Sequence, residues 1–270
     1  MTTQSAPSLT AIVLAGERPG GNALARELGL EAGVLAEVAG QSCLERVLGA
    51  LRASDTVGGG LLVGPRREIR EASPVISGLL ADGDYAWRAP ATGPAASAVT
   101  AMAECDTFPL LLTTGDHALL TPGLIDDFCA RAALVPADVV VGLVAWARVR
   151  AAWPESRRTL LRFADGACCG SNLFLLRTRR AAAALDYWRA IESERKRPWR
   201  IARHLGLATL ARYLTGTLTR DAALALLSRR ARATVGCVML DDPSAAVDVD
   251  SSADLALAER ILAARENARP

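Results

Sequence analysis

The stretch Thr10–Gly21, TAIVLAGERPGG, constrains this chain more than any other. Ala11–Ala15 is a short aliphatic and β-branched run, the composition of a buried first strand. It stops at Gly16 in a polar loop that carries Glu17, Arg18, Gly20 and Gly21. A buried strand running into a glycine loop presents several backbone N–H groups in one small concavity, which suits a polyphosphate. Arg18 adds a forked cation for phosphate oxygens. The alternative is an ordinary tight turn after a strand, and the pattern of the remaining chain decides between the two.

Beyond the loop the chain alternates. Ser42–Leu51 is expected as a helix: Ser42 and Glu45 form a capping box, and Leu44, Val47, Leu48 and Leu51 share one face. Gly58–Gly60 precedes a strand at Leu61–Val63, and further strands are expected at Tyr85–Arg88, Phe108–Thr114, Val139–Trp146, Gly170–Leu176 and Val235–Leu240. Between them, Arg66–Leu80 reads as a loop and helix, and Gly93–Ala103 as a turn and helix. Thr121-Pro122 opens the next helix with proline in its first position. Arg179–Glu194 and Ser252–Glu266 read as the last helices. The apolar runs are too continuous for a half-exposed antiparallel sheet. The expected fold is therefore α/β, a mostly parallel, doubly wound, Rossmann-like sheet, in a single domain over residues 1–270. Ligands in such sheets bind at the carboxyl ends of the strands, where Gly16–Gly21 and Gly115–Asp116 both lie.

Charge and cysteine content narrow the partners. The net charge is +2, which creates no field that calls for nucleic acid, and none is expected as a partner. The six cysteines show no metal-ligand spacing, so buried free thiols are expected, with the vicinal Cys168–Cys169 pair a weak redox alternative. MTTQSAPS lacks the basic and apolar regions of a signal peptide, and Ala132–Trp146, the longest apolar candidate, is broken by Pro136 and Asp138. A cytoplasmic protein is expected. Residues 195–232 are markedly basic, with ten Arg or Lys against the one acid Asp221. Three readings stand for this helical segment: a solvated surface, recognition of an anionic acceptor, or peripheral contact with an anionic membrane through Trp199, Leu205, Leu207, Leu210, Tyr213 and Leu214. His117 and His204 are isolated and read as structural.

Asp116 directly follows an apolar strand, and a carboxylate there suits a divalent cation that also touches a nucleotide phosphate. Asp250 closes a second strand-to-helix junction and supplies the other carboxylate. For each the alternative is a helix N-cap, and Asp248, Asp250 and Asp254 crowd one junction, so at least one of them is expected to be a cap. Taken together, LAGERPGG (Leu14–Gly21), VAGQSCLERVLGAL (Val38–Leu51), TTGDHALLTP (Thr113–Pro122) and VDVDSSADLALAE (Val247–Glu259) resemble, in the right order, the segments of the MobA-like NTP transferases. Asn172 in GSNLFLLR (Gly170–Arg177) matches a substrate loop of that family.

The resemblance implies a glycosyltransferase-A type fold, of the nucleotide-diphospho-sugar transferase kind. It also implies transfer of a nucleoside monophosphate from an NTP to a phosphate or hydroxyl oxygen, with release of pyrophosphate. Asp116 and Asp250 would hold Mg²⁺. Leu14, Ala15, Gly16, Glu17, Gly20 and Gly21 would cradle the phosphates with Arg18, Gly93 and Ser97 would line the base pocket, and an anionic acceptor would enter beside Asn172. The family signature continues to a lysine, but Gly33 stands there, and no lysine precedes Lys196. Arg18 and Arg26 are the nearest cations in sequence. Two alternatives stand beside this reading: a catalytically impaired, nucleotide-binding regulatory relative, and a nucleotide-sugar-dependent glycosyltransferase.

Overall fold

A computed structural model describes residues 8–17, 21–194 and 206–268. Arg18, Gly20 and two members of the proposed membrane-contacting cluster, Trp199 and Leu205, lie outside the described residues.

Among the described residues, eight strands form one sheet. The parallel strands are β1 (Leu9–Leu14), β4 (Val57–Val63), β5 (Tyr85–Arg88), β6 (Leu110–Thr114), β7 (Val139–Ala145) and β10 (Val235–Leu240). A small antiparallel ribbon pairs β2 (Glu37–Val38) with β3 (Gln41–Ser42) outside the main sheet. The sheet runs β10-β7-β9-β6-β1-β4-β5, in which β9 (Gly166–Leu176) is antiparallel to both β6 and β7. The short β8 (Leu161–Phe163) pairs with the start of β9 as a hairpin. The expected mostly parallel α/β sheet is what the chain forms, with this one reversed strand at its centre.

Helices cover both faces, as continuous apolar strands require. One face packs Ala11, Val13, Leu62, Leu111 and Val140 against α2 (Cys43–Arg52) and α6 (Pro122–Ala133). The other packs Ile12, Leu14, Leu112 and Val139 against α5 (Pro94–Ala103) and α8 (Ala181–Glu194). The capping box at Ser42 forms in full, with Ser42 Oγ accepting the Glu45 amide and Glu45 accepting the Ser42 amide. Thr121 caps α6, with Pro122 at its first position.

Three local expectations are corrected. Gly58–Gly60 lie inside β4 rather than before it, because Gly60 meets the Ala11 backbone so closely that a Cβ there would stand 1.8 Å from the Ala11 oxygen. Arg66–Leu80 forms two helices, α3 (Arg67–Ala72) and α4 (Pro74–Leu80), since Ser73 ends one and caps the next. Trp146 begins α7 (Trp146–Ala152) instead of ending β7. The remaining helices are α1 (Ala23–Leu28), α9 (Leu207–Leu214), α10 (Arg220–Ala231) and α11 (Ser252–Asn267). All six thiols are free and five are buried, and burial pushes Cys43 and Cys129 up to about 12, so these are inert core groups. Among the described residues no helix is long and apolar enough to cross a membrane.

Candidate active site at the carboxyl edge of the sheet

Three chain segments converge where β1 and β6 end, and two backbone hydrogen bonds join them. The Gly115 amide donates to the Leu14 oxygen at 2.8 Å, which joins the loop after β6 to the end of β1. The Val249 amide donates to the Asp116 oxygen at 3.0 Å, which brings the segment before α11 alongside. Gly16 itself is a point of close approach: a Cβ there would stand 2.9 Å from Pro90 Cβ, and a Cβ on Gly64 would stand 2.7 Å from Gly16 Cα. Only glycine lets the loops after β1, β4 and β5 stack this tightly.

The result is a cleft of about 440 Å³. Leu14, Ala15, Gly16, Glu17, Gly21, Asp116, Asn172 and Asp250 all line it, so residues spread over most of the sequence meet in one cavity. Gly93 and Ser97 line a smaller recess that shares Leu14, Gly16, Glu17 and Pro94 with the cleft. Ser97 Oγ accepts the Ala91 amide at 2.9 Å and so shapes the recess wall.

The cleft is rich in carboxylates. Glu17, Asp116, Asp248 and Asp250 line it, and among the described residues no Arg or Lys does. Burial, followed by the charges of Asp248 and Asp250, pushes the Asp116 carboxyl up to about 7, against the opposing hydrogen bond from Thr114. Among the described residues, no group of three His, Cys, Asp or Glu side chains is arranged to hold a metal unaided. His117, next in sequence, is buried, and burial pushes it down to about 4, so it stands as a neutral core group.

Asn172 occupies a distinctive position. β9 bulges between its pairings to Leu143 and Val141, and Asn172 sits in the bulge with φ +53°. Asparagine is among the few residues that tolerate this left-handed conformation. Its side-chain amide donates to Asp248 at 3.4 Å. Beside it, Phe174 and Trp188 stack with centroids 6.2 Å apart and form an aromatic wall.

Two contributors are not evident in the sequence. Asp248 reaches the cleft because Arg158, from the loop after α7, clamps it with an Nη1–Oδ1 pair at 2.6 Å. The same guanidinium pairs with Asp254 in the first turn of α11. Ser251, not one of the aspartates, is the N-cap of that helix. The Asp-x-Asp spacing of Asp248 and Asp250 was the available signal for the first, whereas nothing near Arg158 marks its partner 90 residues away. Gly33, at the place of the expected lysine, is buried; its amide donates to Glu17 Oε1 at 2.7 Å, so it braces the signature loop by backbone rather than by charge.

Comparison with known proteins agrees with this architecture. The MobA-like NTP transferase domain family matches residues 11–208. A hypothetical transferase from Thermus thermophilus is 27% identical, superposes with a TM-score of 0.75, and shares 92% of this chain and 99% of its own. A putative glucose-1-phosphate thymidylyltransferase from Bacillus anthracis, at 10% identity and TM-score 0.60, shares 94% of this chain and 95% of its own. The 4-diphosphocytidyl-2C-methyl-D-erythritol synthase of Anaerococcus prevotii, at 12% identity and TM-score 0.57, shares 95% and 96%. These two more distant likenesses speak for the fold. No curated protein matches. Matched by the family over residues 11–208, the chain belongs to the MobA-like NTP transferase family and is an enzyme of the nucleotidyltransferase class.

Proposed function

We propose that the protein transfers a nucleoside monophosphate from an NTP to a phosphate or hydroxyl oxygen of a small acceptor, releasing pyrophosphate, with Mg²⁺ held by Asp116 and Asp250. The observation that carries this reading is the convergence of the Leu14–Glu17 loop, Asp116 and Asp250 on one cleft, held by the Gly115–Leu14 and Val249–Asp116 hydrogen bonds. Carboxylate oxygens such as those of Asp116 and Asp250, both of which line the cleft, are the hard donors Mg²⁺ takes together with substrate oxygens. When bound, Mg²⁺ supplies charge compensation at the phosphates.

The chain's own residues do the rest. Backbone amides of the signature loop, with Gly20, Gly21 and Arg18, receive the triphosphate tail, while the recess at Gly93 and Ser97 takes the base. Asn172 and Asp248 orient the acceptor, and the Phe174–Trp188 wall excludes water from its other side. Such chemistry depends chiefly on alignment of the attacking oxygen with the α-phosphate and on electrostatic stabilisation. Acceptors that resemble the sugar phosphate in the name of the thymidylyltransferase are the first to test.

The test is pyrophosphate release with each of the four NTPs, Mg²⁺ and a panel of sugar phosphates and other phosphate monoesters. Release is expected with one NTP and one acceptor class, and its loss in the Asp116→Ala, Asp250→Ala double variant. Undiminished release by the double variant overturns the mechanism.

A further inference from the structure

A second cavity, of about 620 Å³, opens at the same edge of the sheet, between α7, the β8–β9 hairpin and the start of α10. Its walls are Trp146 and Arg150 of α7, Asp165 and Cys168 of the hairpin region, Arg220 of α10 and Met239 of β10. It is separate from the cleft. Cys168 lies four residues before Asn172 on β9, ~13 Å away along an extended strand.

Arg220 is poorly satisfied for a guanidinium lining a cavity. Its Nε is buried without a hydrogen-bond partner, its Nη1 meets only the Met239 sulfur at 3.3 Å, and its Nη2 stands 3.5 Å from Asp165. A planar group with five donors ordinarily finds oxygen acceptors when half-buried. Asp165 does not supply them well, because its Oδ1 accepts the Arg220 backbone amide at 2.9 Å. Arg150 lines the same cavity and is exposed, and its side chain makes no ion pair or hydrogen bond among the described residues. Two guanidinium groups against one carboxylate leave the cavity with an excess of one positive charge. Trp146 adds a flat apolar surface.

We propose that this cavity is a second binding site, for a small molecule that joins a phosphate or carboxylate group to a flat apolar body. The oxyanion bridges Arg150 and Arg220 in charge-assisted hydrogen bonds, which guanidinium forks make with particular strength. The flat body lies against Trp146. The site stands independently of the nucleotidyl-transfer chemistry, since it shares no lining residue with the cleft.

The test is calorimetric titration of the metal-free protein with phenyl phosphate and with inorganic phosphate. Phenyl phosphate is expected to bind saturably, and more tightly than inorganic phosphate. Arg150→Gln is expected to weaken it roughly tenfold, the worth of about one charged hydrogen bond. Arg220→Gln is expected to do at least as much, but because Arg220 also ties the hairpin to α10, Arg150→Gln is the decisive variant. No saturable binding up to millimolar concentration, or binding that falls with Asp116→Asn and not with Arg150→Gln, overturns the proposal.

Discussion

Arg158→Ala tests the clamp that presents Asp248 to the cleft. The wild-type guanidinium is only 7% exposed and is shared between Asp248 and Asp254, whose side chains are 30% and 15% exposed. It also donates to the Asp248 backbone oxygen at 3.2 Å and to Ser156 Oγ at 3.2 Å. Removing one partner of a buried pair costs ~3–5 kcal/mol, because the opposite charge is left uncompensated. Asp248 retains some water, so the lower end, about 3 kcal/mol, is the expected loss. At ~2–4 °C per kcal/mol for large domains, the melting temperature should fall by roughly 6–12 °C. Arg158→Lys should recover part of this, since one ammonium cannot serve both carboxylates as a fork does. Thermal denaturation followed by circular dichroism reads both variants. The same variants should weaken Mg²⁺-dependent NTP binding, because the clamp also anchors the segment that carries Asp250. A melting temperature for Arg158→Ala within ~2 °C of wild type refutes the reasoning.

Gly33→Lys should destabilise the protein without raising pyrophosphate release: a Cβ there would stand 2.3 Å from Asn22 Nδ2, and Asn22 caps α1, a role worth ~1 kcal/mol. A rise in turnover with unchanged stability would contradict that. The raised pKa of Asp116, about 7 in the metal-free fold against 3.8 unfolded, means the native state binds the extra proton between those values. Metal-free stability should therefore decline as pH rises from about 4 to 7, whereas Mg²⁺ affinity should increase over the upper part of that range. Metal-free Asp116→Asn should lose this decline and melt higher than wild type at about pH 8; parallel stability curves for the two proteins would exclude it. Asn172→Gly keeps the left-handed backbone but removes the amide, so it should spare stability and lower acceptor-dependent turnover. Asn172→Ala should in addition cost ~1–2 kcal/mol of stability. Equal melting temperatures for the two Asn172 variants would contradict the strain argument.

Much of this architecture is legible in the sequence because the parallel strands are nearly uniform aliphatic runs. Ile12, Val13, Leu111, Leu112 and Val140 are buried from both faces, and the turn and cap residues at Ser42 and Thr121 mark the helices they open. The reversal of β9 is not legible, since an aliphatic strand in mid-sheet reads the same in either direction. Gly58–Gly60 carry no strand propensity, and their place in β4 is set by the approach of β1, a tertiary constraint. At the site, the glycine loop, Asp116 just after β6 and the Asp-x-Asp pair before α11 carry local signatures. Arg158 does not: its role depends on Asp248 and Asp254, about a third of the chain away, and an ion pair at that separation leaves no periodicity to read. Arg18 and Gly20, on which the triphosphate assignment also leans, lie outside the described residues.

The central claim is that Asp116 and Asp250 hold a divalent cation against the phosphates of a nucleotide seated on the Leu14–Gly21 loop. A crystal grown with Mn²⁺ and a non-hydrolysable NTP analogue, measured at the manganese edge, tests it most directly. An anomalous peak is expected between the two carboxylates with phosphate oxygens completing the shell, and its loss is expected in Asp116→Asn. Nucleotide bound away from the loop, or a manganese peak that ignores both aspartates, contradicts it.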